Sequence, residues 1–253
     1  MLWNKEINFH CFDFKFETIN GQLCVFAYQG KESFLYLPPL GGESDKITIK
    51  ACFEYMGKSR IARVENISAN QLALLKPDGY NGYLKAYEYL YRRIDLEKLA
   101  GNKYKSKRHD VNLFQKNYPQ VQFRQFKSSD LNACRDLYQR WSKNRLAHCD
   151  DPVYTLMLAE NSGVHALLMK HADDLGLIGR VLDIDGEIAG YTFGFILDEK
   201  TFCVNLEVTD LDKTGSAAYI FNCFCKDPAL NRFELINTMD DFGMPNVADF
   251  KTG

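Results

Sequence analysis

Nothing in this sequence spaces cysteines or histidines as metal ligands. The eight cysteines stand at 11, 24, 52, 134, 149, 203, 223 and 225, with no Cys-x-x-Cys pair, and Cys223 and Cys225 fall on different sides of a helix. The five histidines, at 10, 109, 148, 165 and 171, are as widely scattered. Without close ligand pairs a zinc site is not expected. No apolar run approaches the roughly 20 residues of a membrane helix. The opening Met-Leu-Trp-Asn-Lys-Glu lacks the basic and then apolar regions of a signal peptide. The expectation is a chain with no transmembrane segment, with free thiols, in a reducing cytoplasm. Low-complexity tracts and a legible repeat period are absent too.

What is present is a globular composition. The 253 residues are 46% apolar and 25% charged, with ample material for a core. The net charge of -2 argues against generic nucleic-acid binding, yet it hides an asymmetry. Residues 1–118 carry 18 Lys+Arg against 13 Asp+Glu, and residues 119–253 carry 13 against 20. Two domains of opposite sign, 1–118 and 119–253, are the simplest division.

The first part reads as β-rich. Phe12, Phe14 and Phe16 alternate with charged partners, the period of a half-buried strand. Asn20-Gly21 is a hairpin turn into Gln22–Tyr28, and Gln29-Gly30 leads into Ser33–Leu37 before Pro38-Pro39 stops that strand. Lys46 to Gly57 fits a short covering helix, Ile61–Glu65 a strand, Ala69 to Leu75 a helix capped by Ser68, and Tyr83–Leu90 a strand. After Pro119, Val121–Phe126 reads as a strand. Ser128-Ser129-Asp130 opens an amphipathic helix on which Leu131, Cys134, Leu137, Tyr138 and Trp141 share one face. Asp150-Asp151-Pro152 starts a second helix, and 163–175 reads as a third, in which His165 and His171 are packed or solvated rather than catalytic. Leu177–Ile184, the Asp185-Gly186 turn, Glu187–Leu197 and Thr201–Val208 make three consecutive strands. A helix, Ala217 to Cys225, and a strand, Phe233–Thr238, follow.

Between the two parts lies a basic segment, Tyr89 to Tyr118. Asp95 reads as the cap of a short helix ended by Gly101, and a second helix begins near Lys103. Tyr104, Lys107, Val111, Phe114 and Tyr118 form its mostly apolar face, flanked by a polar stripe of Lys105, Arg108, Asn112 and Gln115. On periodicity alone the stripe is a solvated flank. Its aligned donors also suit a carboxylate, a phosphate or a carbonyl.

The order of elements after Pro119 resembles the GNAT, or acyl-CoA N-acyltransferase, fold. In that fold the strand after the hairpin splays from its neighbour, and the next helix offers backbone N–H groups to a pyrophosphate. The corresponding turn here is Lys213-Thr-Gly-Ser-Ala, with Asp212 where the GNAT signature has Gln or Arg. The central Tyr-Leu-Tyr, then Asp-Leu-x-x-Leu-x-Gly-x-x-Tyr-x-x-Lys-Arg, then Asn112 and Phe114, resembles the phosphatidylglycerol lysyltransferase C-terminal-like family. Glu207, the Gly215 turn and the Ile236 to Gly243 stretch are similar to the same family.

The resemblance implies an α+β (mixed α/β) bacterial protein with tandem GNAT-like domains, each a mostly antiparallel sheet covered by helices. It also implies a further strand beyond Lys251-Thr-Gly, so that the second domain is short of its last one. It implies an aminoacyl- or acyltransferase moving an activated acyl group to an amine or hydroxyl acceptor. The donor would be aminoacyl-tRNA or coenzyme A thioester, used as a co-substrate with no tightly bound cofactor. The acceptor would be a small molecule or lipid headgroup, and tRNA a partner by kinship only.

Such chemistry rests on orientation, an oxyanion donor and a base for the nucleophile. The candidates are Glu207 as base, and Lys105 and Arg108, with Asn112, for a substrate carboxylate or phosphate. Lys213, Gly215 and Ser216 would hold an anion, and Asn237 and Asp241 a donor amino group. Two other readings stay open: a non-catalytic module that kept the tandem fold, and a coenzyme A-dependent N-acetyltransferase.

Overall fold

Asn20 and Gly21 both take positive φ, 51° and 76°, which is what a tight turn between twisted antiparallel strands demands. That turn joins β1 (Asp13–Ile19) to β2 (Gln22–Gln29), and β3 (Glu32–Leu35) completes a three-stranded antiparallel sheet. The helix α1 (Lys46–Met56) lays Cys52 and Met56 on Cys24, Phe26, Phe34 and Leu35. Ser68 caps α2 (Ala69–Leu75) in a reciprocal capping box with Gln71. The strand expected at Ile61–Glu65 does not form. Its backbone makes a single parallel bridge, Val64 to Leu35, at the edge of β3, and Arg63 instead lies 3.8 Å over the Phe34 ring.

The computed structural model describes residues 12–42, 46–147, 152–241 and 251. The chain divides into two compact units, Trp3–Lys85 and Ala86–Gly253. The basic segment, grouped by charge with the first part, packs within the second unit.

That second unit is a six-stranded sheet in the order β4-β9-β8-β7-β6-β5. Its strands are β4 (Glu88–Arg92), β5 (Gln122–Gln125), β6 (Ile178–Ile184), β7 (Glu187–Ile196), β8 (Thr201–Thr209) and β9 (Leu235–Asp240). Every pairing is antiparallel except β8 with β9. Asp185 and Gly186, φ 53° and 89°, make the tight turn between β6 and β7. On one face α5 (Leu131–Leu146) packs Cys134, Leu137 and Tyr138 against Tyr191, Phe193, Leu206 and Val208. On the other, α3 (Arg93–Lys98), α4 (Lys105–Asn117) and α7 (Ser216–Cys225) supply Leu96, Phe114, Ile220 and Phe224. This is the mixed α+β, GNAT-like architecture expected.

Local boundaries differ where tertiary contacts override local signals. The short basic helix starts at Arg93, with Asp95 inside its first turn, and closes on Leu99 in the left-handed region (φ 48°) rather than on Gly101. The tyrosine-rich strand begins only at Glu88. The two helices expected after Trp141 are one, α6 (Pro152–Lys170); the Asp150-Asp151 start assigned to it lies outside the described residues. His165 on α6 sits 2.7 Å from the Tyr191 hydroxyl, and burial holds its pKa down at about 3, so it is a neutral packed residue. No helix among the described residues is long and apolar enough to cross a membrane.

Candidate active site

The ladder between β8 and β9 is short. It pairs Thr201 with Leu235, Phe202 with Ile236 and Cys203 with Asn237, and goes no further, although β8 runs on to Thr209 and β9 to Asp240. Beyond Asn237 the two strands therefore part. Polar groups on the parted segments define the candidate site.

Glu207 reaches it through a bulge. Opposite β7, Phe193 pairs with Leu206 but Gly194 pairs with Val204, so Asn205 is an extra residue. Before the bulge, Phe202 and Val204 belong to the cluster with Phe224 and Cys225 of α7. After it, Leu206 and Val208 belong to the cluster with α5. The alternation has been reversed, and Glu207 is turned to the α7 side. Its cross-strand partner is Thr192. The Cys225 thiol on α7, whose pKa is raised first by burial, is raised further by the Glu207 charge.

Glu207 Oε2 is buried and accepts no hydrogen bond, and Asn205 Oδ1 two residues earlier is in the same condition. Burial raises the Glu207 carboxyl from its ordinary range to about 8. The fully buried Thr192 hydroxyl opposes that rise in part, without closing a well-formed hydrogen bond. Buried polar atoms are nearly always partnered in native proteins, so unpartnered atoms on Asn205, Glu207 and the facing Thr192, with a raised carboxyl among them, mark this stretch as the candidate site. Gly190 and Gly194 flank Thr192 at the alternate positions of β7. A Cβ at Gly194 would strike the Phe202 ring, and one at Gly190 would press on Ile220 of α7.

The other sequence-predicted residues occupy two further places. On α4, Lys105 and Asn112 are exposed. Arg108 is half-buried and donates to the carbonyls of Leu99 and Gly101, anchoring α4 to the end of α3. The turn before α7 packs on the same helix. Gly215 has φ 87°, and a Cβ there would collide with the Asp110 carbonyl of α4. The Ser216 hydroxyl donates to the Asp210 carbonyl at 3.1 Å, and Lys213 pairs with the Asp210 carboxylate at 3.3 Å.

The third place is the end of β9. Asn237 donates to Glu88 Oε2 at 3.0 Å, and its Oδ1 accepts from the Met239 amide at 2.6 Å. Asp241 accepts from the Tyr89 hydroxyl at 2.7 Å. Both side chains are buried. Sequence reading missed Thr192 and Asn205. Val-Asn-Leu-Glu-Val at 204–208 looks like plain alternation with Asn and Glu facing solvent, and only the non-local bulge shows otherwise.

A model of the family described as phosphatidylglycerol lysyltransferase, C-terminal, matches residues 10–244. Among solved structures, a conserved protein of unknown function from Bacteroides thetaiotaomicron is 24% identical over 95% of this chain and 81% of its own, with a TM-score of 0.78. The structure of L-PGS from Bacillus licheniformis is 18% identical over 90% of this chain and 68% of its own, TM-score 0.65. The C-terminal domain of a putative lysylphosphatidylglycerol synthetase from Agrobacterium fabrum is also 18% identical, over 90% and 71%, TM-score 0.62. A search of curated proteins returns no match.

Proposed function

The chain belongs to the phosphatidylglycerol lysyltransferase C-terminal family, and from that premise we propose that it transfers an aminoacyl or other activated acyl group to an amine or hydroxyl acceptor, with Glu207 as the general base. The observation that carries this reading is Glu207, half-buried with its Oε2 buried and unpartnered, where β8 leaves β9. A base with its pKa near 8 retains strength to remove a proton from an incoming nucleophile while still being ionised in useful amounts near neutrality. The acceptor's N–H or O–H proton passes to the carboxylate as the nucleophile adds to the acyl carbon. The tetrahedral adduct then expels the donor's alcohol or thiol, which takes up a proton.

Kinship favours an aminoacyl ester, carried by tRNA, over coenzyme A thioester as donor, and a lipid headgroup or small molecule as acceptor. The packing of Gly215 against α4 agrees with the first choice, because the turn that would face a coenzyme A pyrophosphate abuts helix backbone instead. Aminoacyl-tRNA is made in the cytoplasm, and the reaction is placed there.

The experiment is single-turnover transfer from a panel of radiolabelled aminoacyl-tRNAs and acyl-CoAs to amine, glycerol and phosphatidylglycerol acceptors. Glu207→Gln should slow the active combination by about 10²–10⁴-fold. Turnover unchanged in that variant overturns the assignment of the base. Ligand binding with no transfer from any donor overturns the transferase reading in favour of a binding module.

A further inference from the structure

β1 is an edge strand. Among the described residues it pairs with β2 alone. The direction of its backbone groups follows from what β2 does with its own. Leu23, opposite Thr18, exchanges both its N–H and its carbonyl with Leu40. The carbonyl of Val25, opposite Phe16, accepts from the Tyr36 amide. Antiparallel pairs alternate between hydrogen-bonded and non-hydrogen-bonded. Thr18 and Phe16 therefore stand at non-hydrogen-bonded positions toward β2, and their N–H and C=O groups point out from the edge. Both residues are exposed, Phe16 by 52%.

The sequence of β1, Asp-Phe-Lys-Phe-Glu-Thr-Ile, is self-complementary about its midpoint. Phe16 is the fourth of its seven residues, so a second copy laid antiparallel on a two-fold axis at Phe16 overlaps the whole strand. Each Phe16 then faces the other, and Lys15 of each copy faces Glu17 of its mate. Opposite charges directly across a strand pair support it, and like charges oppose it. Both side chains are already held in place: Lys15 Nζ lies 4.4 Å over the Tyr28 ring, and Glu17 accepts from the Tyr55 hydroxyl at 3.0 Å. Other axes serve less well. One through Lys15 sets Lys15 on Lys15 and Asp13 on Glu17, and one through Glu17 sets Glu17 on Glu17. Axes through Phe14 or Thr18 overlap only three residues of each strand.

We propose that β1 is a dimerisation edge, on which a second copy of this chain adds its own β1 across a two-fold axis at Phe16, joining the two three-stranded sheets into one. An exposed edge with an aromatic residue at its centre is the kind that proteins otherwise block against uncontrolled pairing. Two-fold pairing covers it and closes at two copies. One strand pair is a small interface, so the association is reversible.

The test is sedimentation velocity of the full chain over a concentration series. The wild type should show a monomer–dimer equilibrium. Lys15→Glu and Glu17→Lys each set like charges opposite one another twice across the axis, and each should weaken dimerisation about tenfold or more. Mixed in equal amounts, the two variants should associate about as tightly as the wild type, because positions 15 and 17 of unlike chains then carry opposite signs. A fold disturbed by the substitutions would not be restored by mixing. Should either variant not fold, Phe16→Pro takes its place. It removes an outward N–H and leaves the bonds to β2 intact, and it should abolish the dimer. A wild type that stays monomeric up to about 1 mM overturns the proposal. So does a mixture no tighter than its components, or a dimer that survives the charge reversals or Phe16→Pro unweakened. None of these readouts involves turnover, so the dimer and the transferase reading can fail separately.

Discussion

Glu207→Gln should stabilise this protein, and by an amount that depends on pH. Burial raises the carboxyl from 4.5 to about 8 in the folded state. Such a group favours folding fully only below the unfolded value. Between the two values the unfolded chain releases a proton that the folded chain keeps bound, and above about 8 the folded chain must carry a buried charge. A shift of three to four units at about 1.4 kcal/mol each places the full penalty on the order of 5 kcal/mol at pH 9, an upper figure that relaxation and water entry would reduce. Gln carries no charge to bury, so the variant has no such penalty at any pH. Urea denaturation of both proteins from pH 4 to pH 9 checks this. The difference, variant minus wild type, should be smallest near pH 4 and grow with pH by up to about 1.4 kcal/mol per unit, levelling above pH 8. Parallel stability curves across that range would refute the buried-carboxyl argument, and with it the case for Glu207 as a base tuned to neutrality.

Thr192→Val keeps the volume and removes the hydroxyl that restrains the Glu207 shift. The pH–rate profile for transfer should rise to its plateau at a pH higher by up to about one unit, and an unmoved profile would remove Thr192 from the site. Gly215→Ala puts a Cβ into the Asp110 carbonyl at a left-handed φ of 87°. The expected loss is about 2–4 kcal/mol by denaturant titration, and a loss below about 0.5 kcal/mol would contradict the packing of α4 on α7. Arg108→Ala strips a donor from the Leu99 and Gly101 carbonyls and should lower stability by about 1–3 kcal/mol with the KM of the donor unchanged. A KM raised severalfold at unchanged stability would return Arg108 to substrate contact.

The fold was legible where local chemistry is decisive. Asn20-Gly21 and Asp185-Gly186 are hairpin turns because their φ values require it, and Ser68 with Gln71 marks a helix start by reciprocal hydrogen bonds. The Leu131 to Trp141 stripe predicted the face that packs on Tyr191 and Phe193. Legibility failed where partners distant in sequence decide. Ile61–Glu65 has the letters of a strand but only one bridge to pair with. Gly101 was the expected helix end, yet Leu99 accepts the left-handed conformation, and its carbonyl gains a donor from Arg108, nine residues on. Within the site, Glu207 could be named from family kinship, but its direction could not. Alternation at 204–208 turns it outward, and the bulge at Asn205 turns it in.

Irregularity in this sheet is concentrated at the candidate site. β8 carries its bulge at Asn205, two residues after its last pairing with β9, and β9 leaves the strand conformation at Met239, two residues after the same pairing. β4 shifts register between Glu88 and Leu90, beside Asp240 and Asn237. A bulge increases local twist and ends regular pairing, so the bulge in β8 and the left-handed residue in β9 explain why two strands that begin as parallel neighbours cannot stay together. The parting leaves the buried, unpartnered Oε2 of Glu207 on one strand and three carbonyls turned to the Lys251 ammonium on the other. An unbroken ladder would satisfy these carbonyls from the neighbouring strand, where here the Lys251 ammonium does so. The same two interruptions therefore account for the geometry of the fold at this point and for the polar groups of the candidate site.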